Sequence, residues 1–540
     1  MYIIKTVNFP KLNYIEGTNV FSGCKSLEEI TLGPITKFNT NIFNECSSLT
    51  TINCDFSKII SIEQNAFYGC SNIAIAFDCS NCVSIGNNSF KSCTSLPSVN
   101  FPNLSSIGNN SFHSCTSLTT VNIGNIESIG DACFYGCKNL ISINISNVNT
   151  IYGNAFYGCT NLQSVTVGNN LSKIYGNAFC RCESLTAINN INWENIQIIG
   201  DYAFEGCINF LNDYEEPIVF SSLTSLTAAQ IQGFRAPYLK FPAIETIGKL
   251  ANSFTKTVEL HLGITSLPNY TFNSCRLLTS VSKLGNVTSV GNECFRYDDT
   301  LTSLDFSSNL KSIGNLAFDG CNKINYISTE TIYPTSIGNN AFYGMKTLLG
   351  RINLSQCTSL GNNAFYNCES LTSVGTLSSE LTEIPSYIFY NCKSLESITI
   401  PDGITIINTH AFDSCISLSS INIPNSVVII KSWSFAHCSN LSTVTVGNSL
   451  TNLEGQNFMD TQIQSIVLPA SIQNIGNQTF LRCSNLISLT INATIPPTLG
   501  AEVFKQVNTN LKIYVPASAV DTYKSSDMWS SYANIIYPIS

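Results

Sequence analysis

A short pattern returns along the chain: a phenylalanine with a cysteine three residues later, about once in every 23 residues. Units that begin at Cys115, Cys137 and Cys159 share the template Cys-x-x-Leu-x-x-Val/Ile-x-Ile/Val, followed by a segment close to Ile-Gly-x-x-Ala-Phe. One such unit cannot bury its apolar side chains alone, whereas stacked units share a continuous core. The recurring phenylalanines, called anchors below, are Phe21, Phe43, Phe67, Phe90, Phe112, Phe134, Phe156, Phe179, Phe204, the degenerate Phe234, Phe254, Phe272, Phe295, Phe318, Phe342, Phe365, Phe389, Phe412, Phe435, Phe458, Phe480 and Phe504.

The template predicts a strand in every unit. Leu118, Val121 and Ile123 fit the inward positions of a short strand and its lead-in, and Thr120 and Asn122 alternate outward. Self-similarity at this period, with fixed leucines and a Cys or Asn, is typical of leucine-rich repeats. We predict a leucine-rich repeat solenoid of right-handed stacked coils with a parallel β-sheet face. It should be mostly strand and irregular structure with short helical turns, in about 22 repeats of about 23 residues.

The cysteines follow the same register. Most of the 23 lie three residues after an anchor, which predicts a ladder of buried thiols acting as small hydrophobes with weak S–H donors. Parallel side chains are poorly placed for disulfides. Cys79 and Cys82 have zinc-knuckle spacing without a second pair, so we predict neither metal nor cofactor. The structural ladder is represented by Phe90, Cys93, Phe112, Cys115, Phe134, Cys137, Phe156 and Cys159.

Composition excludes several classes of function. Only 11% of the residues are charged and the formal net charge is −9, which argues against nucleic-acid binding. No apolar stretch reaches the roughly 18–20 residues of a membrane span. His113, His261, His410 and His437 lie in different repeats with no shared acid or nucleophile pattern. We therefore predict that the chain is not an enzyme.

The motif Leu-x-x-Val-x-Ile … Ile-Gly-x-x-Ala-Phe-x-x-Cys resembles the repeats of the BspA-like surface antigens, also called the Treponema pallidum type. The C-terminal stretch around 495–497, 511–516 and Trp529 is similar to the closing segment of such proteins from gut bacteria. The resemblance implies a cell-surface or secreted location, adhesion to host matrix proteins or other cells, and host interaction. The partner would be a host or cell-surface protein or glycan, bound by a monomer.

The resemblance leaves the chain ends to be explained. Residues 1–24 lack a charged segment followed by an apolar one and already read as a repeat. An extracellular or cell-surface location therefore requires a signal peptide that is trimmed or lies upstream, and a leaderless protein is the alternative. The C-terminus carries neither a sorting motif nor an apolar tail.

The repeat register also suggests a division of the chain. Residues 1–207 form an N-terminal arm, 208–253 irregular repeats with an insertion, 254–507 a C-terminal arm and 508–540 a polar cap, all within one continuous solenoid. In the cap we expect a short helix at 519–525. Trp529, Tyr532 and Ile536 should close the last coil.

Two candidate binding sites emerge, each with a structural alternative. The insertion at 212–217 contains Tyr214, Glu215 and Glu216 and predicts a projecting loop, or else a tolerated irregularity or a kink between the two arms. A tyrosine follows the anchor in several repeats and predicts a strip of rings for protein or carbohydrate contact, or else packing between coils. The strip consists of Tyr68, Tyr135, Tyr157, Tyr343, Tyr366 and Tyr390.

The outward face of the strands offers less. Its residues are mostly Ser, Thr and Asn, and it has almost none of the Trp, Tyr and Arg that dominate interface energetics. The leading hypothesis is an adhesin-like binding protein, and the alternative is a structural spacer or scaffold that presents another domain. For the first hypothesis, deletion of 212–217 or mutation of the tyrosine strip should weaken cell binding.

Overall fold

The computed structural model describes residues 4–211, 215–227, 229–250 and 255–539. The chain divides into two compact units, Met1–His261 and Leu262–Ser540. Within each unit a typical repeat forms one coil, which consists of a front strand, a second shorter strand and a turn that carries the anchor. The described residues make about 23 turns of a parallel β-solenoid with few helices. The predicted leucine-rich repeat fold class is confirmed.

The first unit contains two rows of parallel strands. Its front strands are Thr6–Phe9, Glu29–Leu32, Thr51–Asn53, Phe77–Asp78, Ser98–Phe101, Thr120–Ile123, Ser142–Ile145, Ser164–Val167, Ala187–Asn189, Ile218–Val219, Tyr238–Lys240 and Thr257–Glu259. Its second row consists of Lys37–Phe38, Ser61–Ile62, Ser84–Ile85, Ser106–Ile107, Ser128–Ile129, Thr150–Ile151, Lys173–Ile174, Ile198–Ile199, Ser225–Leu226 and Thr246–Ile247. Two 3-10 helices, Phe56–Lys58 and Trp193–Asn195, replace irregular backbone between the rows.

The second unit has the same two rows. Its front strands are Ser280–Ser282, Ser420–Ile423, Thr443–Val446, Ser465–Leu468, Ser488–Ile491, Lys512–Val515 and Ile536–Pro538. Its second row consists of Ser266–Leu267, Ser289–Val290, Ser312–Ile313, Ser336–Ile337, Ser359–Leu360, Glu383–Ile384, Ile406–Ile407, Ile429–Ile430, Asn452–Leu453, Asn474–Ile475 and Thr498–Leu499. Between residues 303 and 399 the described front row is reduced to isolated bridges such as Thr376 with Thr399. Its 3-10 helices are Leu354–Gln356, Ala517–Ala519 and Trp529–Ile535, and its α-helix is Val520–Ser525.

Strand alternation follows the template. In Thr120–Ile123 the residues Val121 and Ile123 are buried, whereas Thr120 and Asn122 are exposed. This strand pairs in parallel with Ser98–Phe101 without a register slip. The apolar side chains of successive coils therefore lie over one another and form the shared core.

Anchors and ladder cysteines form two files inside the core. Successive rings from Phe90 to Phe156 stack with centroids 5.2–5.4 Å apart and planes within 6°. The carbonyl oxygen of Phe112 accepts a hydrogen bond from the Cys115 backbone N–H at 3.1 Å and another from the Cys137 thiol at 3.1 Å. A cysteine suits this position because its S–H occupies the second lone pair of a buried carbonyl group.

The turn around each anchor requires an unusual backbone. The residue two positions before the anchor has positive φ, as Asn154 does at 53°, and the residue two positions after it often does too, as Gly158 does at 69°. Asn and Gly tolerate this left-handed region, which most other side chains avoid. This requirement accounts for the asparagine that recurs two positions before the anchor.

The stacked anchors change geometry after Phe204. Phe234 is buried, and its ring lies 77° from that of Phe204 at 5.5 Å, whereas successive anchors stack in parallel elsewhere among the described residues. The anchor Phe254 lies outside the described residues. Trp193 and Phe210 fill the space with edge contacts of 5.2 and 5.6 Å to Phe234. The degenerate anchor thus belongs to the core. The domain boundaries at 207/208, 253/254 and 507/508 stay predictions.

The C-terminal residues cover the last coil of the second unit. The helix expected at 519–525 is observed at Val520–Ser525. The Tyr523 hydroxyl donates to the Ala493 carbonyl at 3.0 Å, and the indole N–H of Trp529 donates to the Pro497 carbonyl at 2.8 Å. Large buried rings whose polar atoms are satisfied in this way make a stable end to a repeat stack.

Candidate binding surface on the anchor edge

All six tyrosines of the predicted strip are half-buried and directly follow an anchor. They lie on the edge of the coils where the anchor turns succeed one another. We call this surface the anchor edge. It is formed by the residues two positions before, one position after and two positions after each anchor. Its geometry differs between the two units.

In the first unit the strip is short. The Tyr135 ring stacks on Tyr157 with centroids 4.8 Å apart and on His113 at 4.5 Å. The Arg181 guanidinium lies 5.8 Å from the centroid of Tyr157 and continues the file. Tyr68 belongs to an earlier coil, and the intervening anchor Phe90 is followed by a lysine instead of a ring. The structure therefore joins two of the three predicted tyrosines of this unit.

In the second unit the three predicted tyrosines form one file. Tyr343 stacks on Tyr366 with centroids 4.6 Å apart, and Tyr366 stacks on Tyr390 at the same distance. The ring planes agree within 10°. The rings pack between coils and also remain half-exposed, and their role in binding stays a prediction.

A second file of rings runs beside the first. Tyr387 stacks on His410 at 4.5 Å, His410 on Trp433 at 5.5 Å, and Trp433 on His437 at 5.7 Å. The files touch where Tyr387 lies 6.3 Å from Tyr366. Both files together are called the ring patch, which consists of Tyr343, Tyr366, Tyr387, Tyr390, His410, Trp433 and His437.

All four members of the second file have positive φ, and His437, two positions after its anchor, has φ of 57°. Tyr387, His410 and Trp433 are the residues two positions before their anchors, with φ of 55°, 55° and 66°. Bulky residues rarely adopt positive φ, and such outliers cost on the order of 1–3 kcal/mol each. The tyrosine strip predicted from the sequence does not include these residues, because it is defined by the position after the anchor. The signal in the sequence was three consecutive coils in which Tyr, His and Trp replace the recurring asparagine.

Stacking determines what the ring patch presents to solvent. Within a file the ring faces cover one another, so the exposed parts are the rims with their polar atoms. Burial raises the pKa of the Tyr366 and Tyr390 hydroxyls above the usual 10. Both stay protonated at neutral pH and can each donate and accept a hydrogen bond. The patch is thus a rigid amphipathic surface with a polar fringe.

A buried carboxylate lies beneath the two histidines. Asp413 is 3% exposed, and its oxygens accept from His410 Nδ1 at 2.7 Å and from His437 Nδ1 at 2.8 Å. The Ser414 hydroxyl donates to the same group at 2.8 Å. An ionised carboxylate only accepts hydrogen bonds, so each imidazole must carry its proton on Nδ1. The acid thereby fixes the orientation of both rings.

The polar chain continues beyond His437. Its Nε2 lies 3.5 Å from Asp460 Oδ2, and Asp460 is paired with the Arg482 guanidinium by two hydrogen bonds. The hydrogen bonds from Arg482 lower the pKa of Asp460, which remains ionised. The hydrogen bond to Asp413 raises the pKa of His437 above 6.5, an effect that burial partly opposes.

The acidic insertion is only partly described. Tyr214 lies outside the described residues. Glu215 and Glu216 are exposed and precede the strand Ile218–Val219. Their role as binding residues stays a prediction.

The front sheet of the second unit carries a shallow groove. Thr443–Val446 and Ser465–Leu468 pair at a single register position, Thr443 with Ser465. The groove between these strands is lined by residues such as Thr445 and Val467. Val467 is 51% exposed. Polar side chains and one exposed valine provide little area for tight binding.

Neither a metal site nor a membrane-spanning helix is found in the described part of the chain. Among these residues there is no group of three or more His, Cys, Asp or Glu side chains suited to a metal ion. None of the described helices is long and apolar enough to cross a membrane.

Comparison with solved structures returns leucine-rich repeat proteins. One from Bacteroides ovatus is 20% identical, with 94% of this chain and 91% of that chain covered and a TM-score of 0.31. The Treponema pallidum protein TpLRR is 23% identical over 37% of this chain and 81% of its own, with a TM-score of 0.26. A leucine-rich cell surface protein from Faecalibacterium prausnitzii is 18% identical over 82% and 87%, with a TM-score of 0.22. No curated protein shows significant similarity.

The family model for the BspA type leucine rich repeat region (6 copies) matches residues 2–104, 83–211, 218–325, 288–419 and 405–527. These matches leave out only short stretches of the 540 residues. They follow the same repeats that build the coils, including those that carry the ring patch. The chain belongs to the BspA-type leucine-rich repeat family.

Proposed function

We propose that this chain is a non-enzymatic binding protein, located at the cell surface or secreted, that engages a partner protein through the ring patch. Proteins of this repeat family are typically surface or protein-interaction proteins. The single observation that carries the proposal is the concentration of seven rings in adjoining files over a few coils. An adhesin-like contact with host matrix or another cell is the finer form of this proposal.

The composition of the ring patch supports this assignment. Tyr and Trp, with Arg, are the residues that contribute most to protein interfaces. Stacking already restricts the rotamers of these side chains, so binding costs little additional side-chain entropy.

The exposed rims favour a protein over a glycan as partner. Aromatic recognition of a sugar ring uses an open ring face, whereas the faces in this patch cover one another. The rims instead alternate apolar ring edges with hydroxyl, indole and imidazole groups. That mixture matches the apolar centre and hydrogen-bonding groups of a protein interface.

One observation favours a second function. The outward residues of the front strands, such as Thr120, Asn122 and Thr445, are short and uncharged. A sheet face of this kind stays in water without attracting partners. If the ring patch proves inert, the chain serves as a structural spacer or scaffold that presents another domain.

The test is binding of the purified chain to an array of mucins, fibronectin, fibrinogen, collagens and glycans. The variant Tyr343→Phe/Tyr366→Phe/Tyr390→Phe keeps the stacked file and removes three rim hydroxyls. Each lost hydrogen bond costs about 0.5–1.5 kcal/mol. We therefore expect a saturable protein hit whose Kd rises at least about tenfold in this variant.

The matched control is Tyr135→Phe/Tyr157→Phe, which makes the same change in the stacked file of the first unit. It should change the Kd less than about twofold. Equal Kd values for all three proteins would exclude the ring patch as the contact. A folded chain with no hit on the array would favour the spacer, and glycan hits alone would contradict the choice of partner.

A further inference from the structure

The polar chain beneath the ring patch contains one link that depends on a proton. His410, Asp413, His437, Asp460 and Arg482 follow one another across four coils of the second unit. In all but one of these contacts a nitrogen that carries a hydrogen donates to a carboxylate, and this does not depend on whether His437 is neutral or charged. The exception is the 3.5 Å approach of His437 Nε2 to Asp460.

The chemistry of that approach changes with the protonation state of His437. Because Asp413 holds the proton on Nδ1, neutral His437 turns the lone pair of Nε2 toward the ionised Asp460, which is repulsive. Protonated His437 turns an N–H toward the same carboxylate and forms a charge-assisted hydrogen bond. Only the protonated form therefore links the coil of Asp413 to the coil of Asp460.

The protonation of His437 also affects its contact with the Trp433 ring. It lies against both imidazoles, 5.5 Å from His410 and 5.7 Å from His437. A cation over an indole face is attracted by the ring quadrupole. Protonation of His437 therefore strengthens its stacking with Trp433 as well as its link to Asp460. Both effects stiffen the second file of the ring patch.

We propose that protonation of His437 closes the chain from His410 to Arg482 and sets the ring patch for binding, so that the site engages its partner more tightly under mildly acidic than under alkaline conditions. The binding half of this proposal rests on the proposed function. The groups facing His437 are Asp413 from the preceding coil and Asp460 and Arg482 from the following coils, with Tyr390 and His410 facing Asp413 from the other side.

The sign of the effect follows from the environment of His437. Its folded-state pKa lies above the usual 6.5 because Asp413 and Asp460 favour the charged ring, while burial and Arg482 oppose it. The stabilising contribution is complete below 6.5 and is lost as the pH rises through the folded-state pKa. His113 provides an internal reference, because burial and Lys91 lower its pKa below 6.5.

The first experiment needs no ligand. The four histidines, with 13C-labelled rings, are titrated by NMR between pH 5 and 9. Acrylamide quenching of tryptophan fluorescence is measured over the same pH range in wild type and in Trp433→Phe, and the difference between the two gives the accessibility of Trp433. We expect His437 to titrate above 6.5, His113 below it, and Trp433 to become more accessible as His437 loses its proton. Asp413→Asn should lower the pKa of His437 by on the order of one unit.

Two results would overturn the proposed role of His437 protonation: a His437 pKa at or below 6.5, or a Trp433 accessibility that stays constant through the titration of His437. The second experiment compares Kd at pH 6 and pH 8 for the strongest array hit. We expect a several-fold weaker Kd at pH 8 in wild type and none of this dependence in His437→Gln. A pH-independent wild-type Kd overturns the regulation and leaves the proposed function standing. The ligand-free titration is unaffected if the array yields no hit.

Discussion

Asp298 occupies the position where most repeats have a ladder cysteine. The residue is 0% exposed, and one of its oxygens accepts from the Cys275 backbone N–H at 2.7 Å. Its other oxygen, Oδ2, is buried and has no hydrogen-bond partner among the described residues. Burial raises the pKa of Asp298 from 3.8 to about 9, the charge of Asp299 adds to the rise, and the Cys275 N–H opposes it.

This residue predicts a pH-dependent loss of stability. Since the folded state holds a proton that the unfolded state releases above 3.8, the free energy of unfolding falls as the pH rises from 3.8 towards about 9. The slope is at most about 1.4 kcal/mol per pH unit. In Asp298→Asn the difference in stability between pH 5 and pH 8 should shrink by on the order of 2–4 kcal/mol. Denaturant unfolding at both pH values measures it.

The free energies of unfolding at pH 5 and pH 8 are compared within each protein. Any destabilisation by the amide of Asp298→Asn that does not depend on pH therefore cancels. Asp299→Asn is the matched control, since Asp299 is exposed and should leave most of the slope in place. An unchanged slope in Asp298→Asn would show that another group causes the pH dependence.

At the scale of single residues, the sequence predicts where a side chain lies better than it predicts the protonation state of that side chain. The alternation of Thr120, Val121, Asn122 and Ile123 followed from the strand period and is observed. The substitution of Asp298 for a ladder cysteine is also visible in the sequence. Its neutral form at pH 7 is not, because protonation depends on the burial and pairing of each oxygen.

At the scale of one coil, the glycine that precedes the anchor turn has a spatial reason. A Cβ on Gly314 would lie 2.5 Å from the Asn292 nitrogen and 2.6 Å from the Gly291 carbonyl carbon of the preceding coil. Next to it, the Asn292 side chain accepts from the Asn315 backbone N–H at 2.7 Å, and the Asn315 side chain repeats this contact with Asn339. The glycine therefore lets neighbouring coils approach closely enough for an asparagine ladder.

We expect Gly314→Ala to destabilise the second unit. The added methyl group would force two backbones apart, and such overpacking costs about 1–3 kcal/mol. Gly285→Ala is the matched control, because nothing lies within 4 Å of its Cβ position. That change should stay within about 0.5 kcal/mol. Thermal and denaturant unfolding of both variants measure the difference, and equal stabilities would contradict the close-approach argument.

The sequence predicted the repeat period of the coil but only some of the residues that form the ring patch on its surface. The tyrosines after the anchors were visible because one residue type recurs. Tyr387, His410 and Trp433 escaped notice because three different residue types share one repeat position. Their joint role depends on stacking between coils, which identity patterns along the chain do not report.

At the scale of the whole molecule, the repeat separates two kinds of surface within each unit. Front strands present short polar side chains such as Thr120 and Thr443. The anchor edge gathers the rings, most densely around Trp433. With only 11% charged residues, the chain relies on shape and hydrogen bonding more than on long-range electrostatics. The second unit thus carries the strongest candidate for a binding surface.

Hydroxyl-radical footprinting of the chain, free and bound to its strongest array partner, tests this claim most directly. Aromatic side chains report their own exposure in such an experiment. The account predicts that binding reduces oxidation of Tyr366, Tyr390 and Trp433 and leaves Tyr14 and Tyr537, both exposed, unchanged. Protection confined to the front strands or to the first unit, with Tyr366 and Trp433 still reactive, would contradict it.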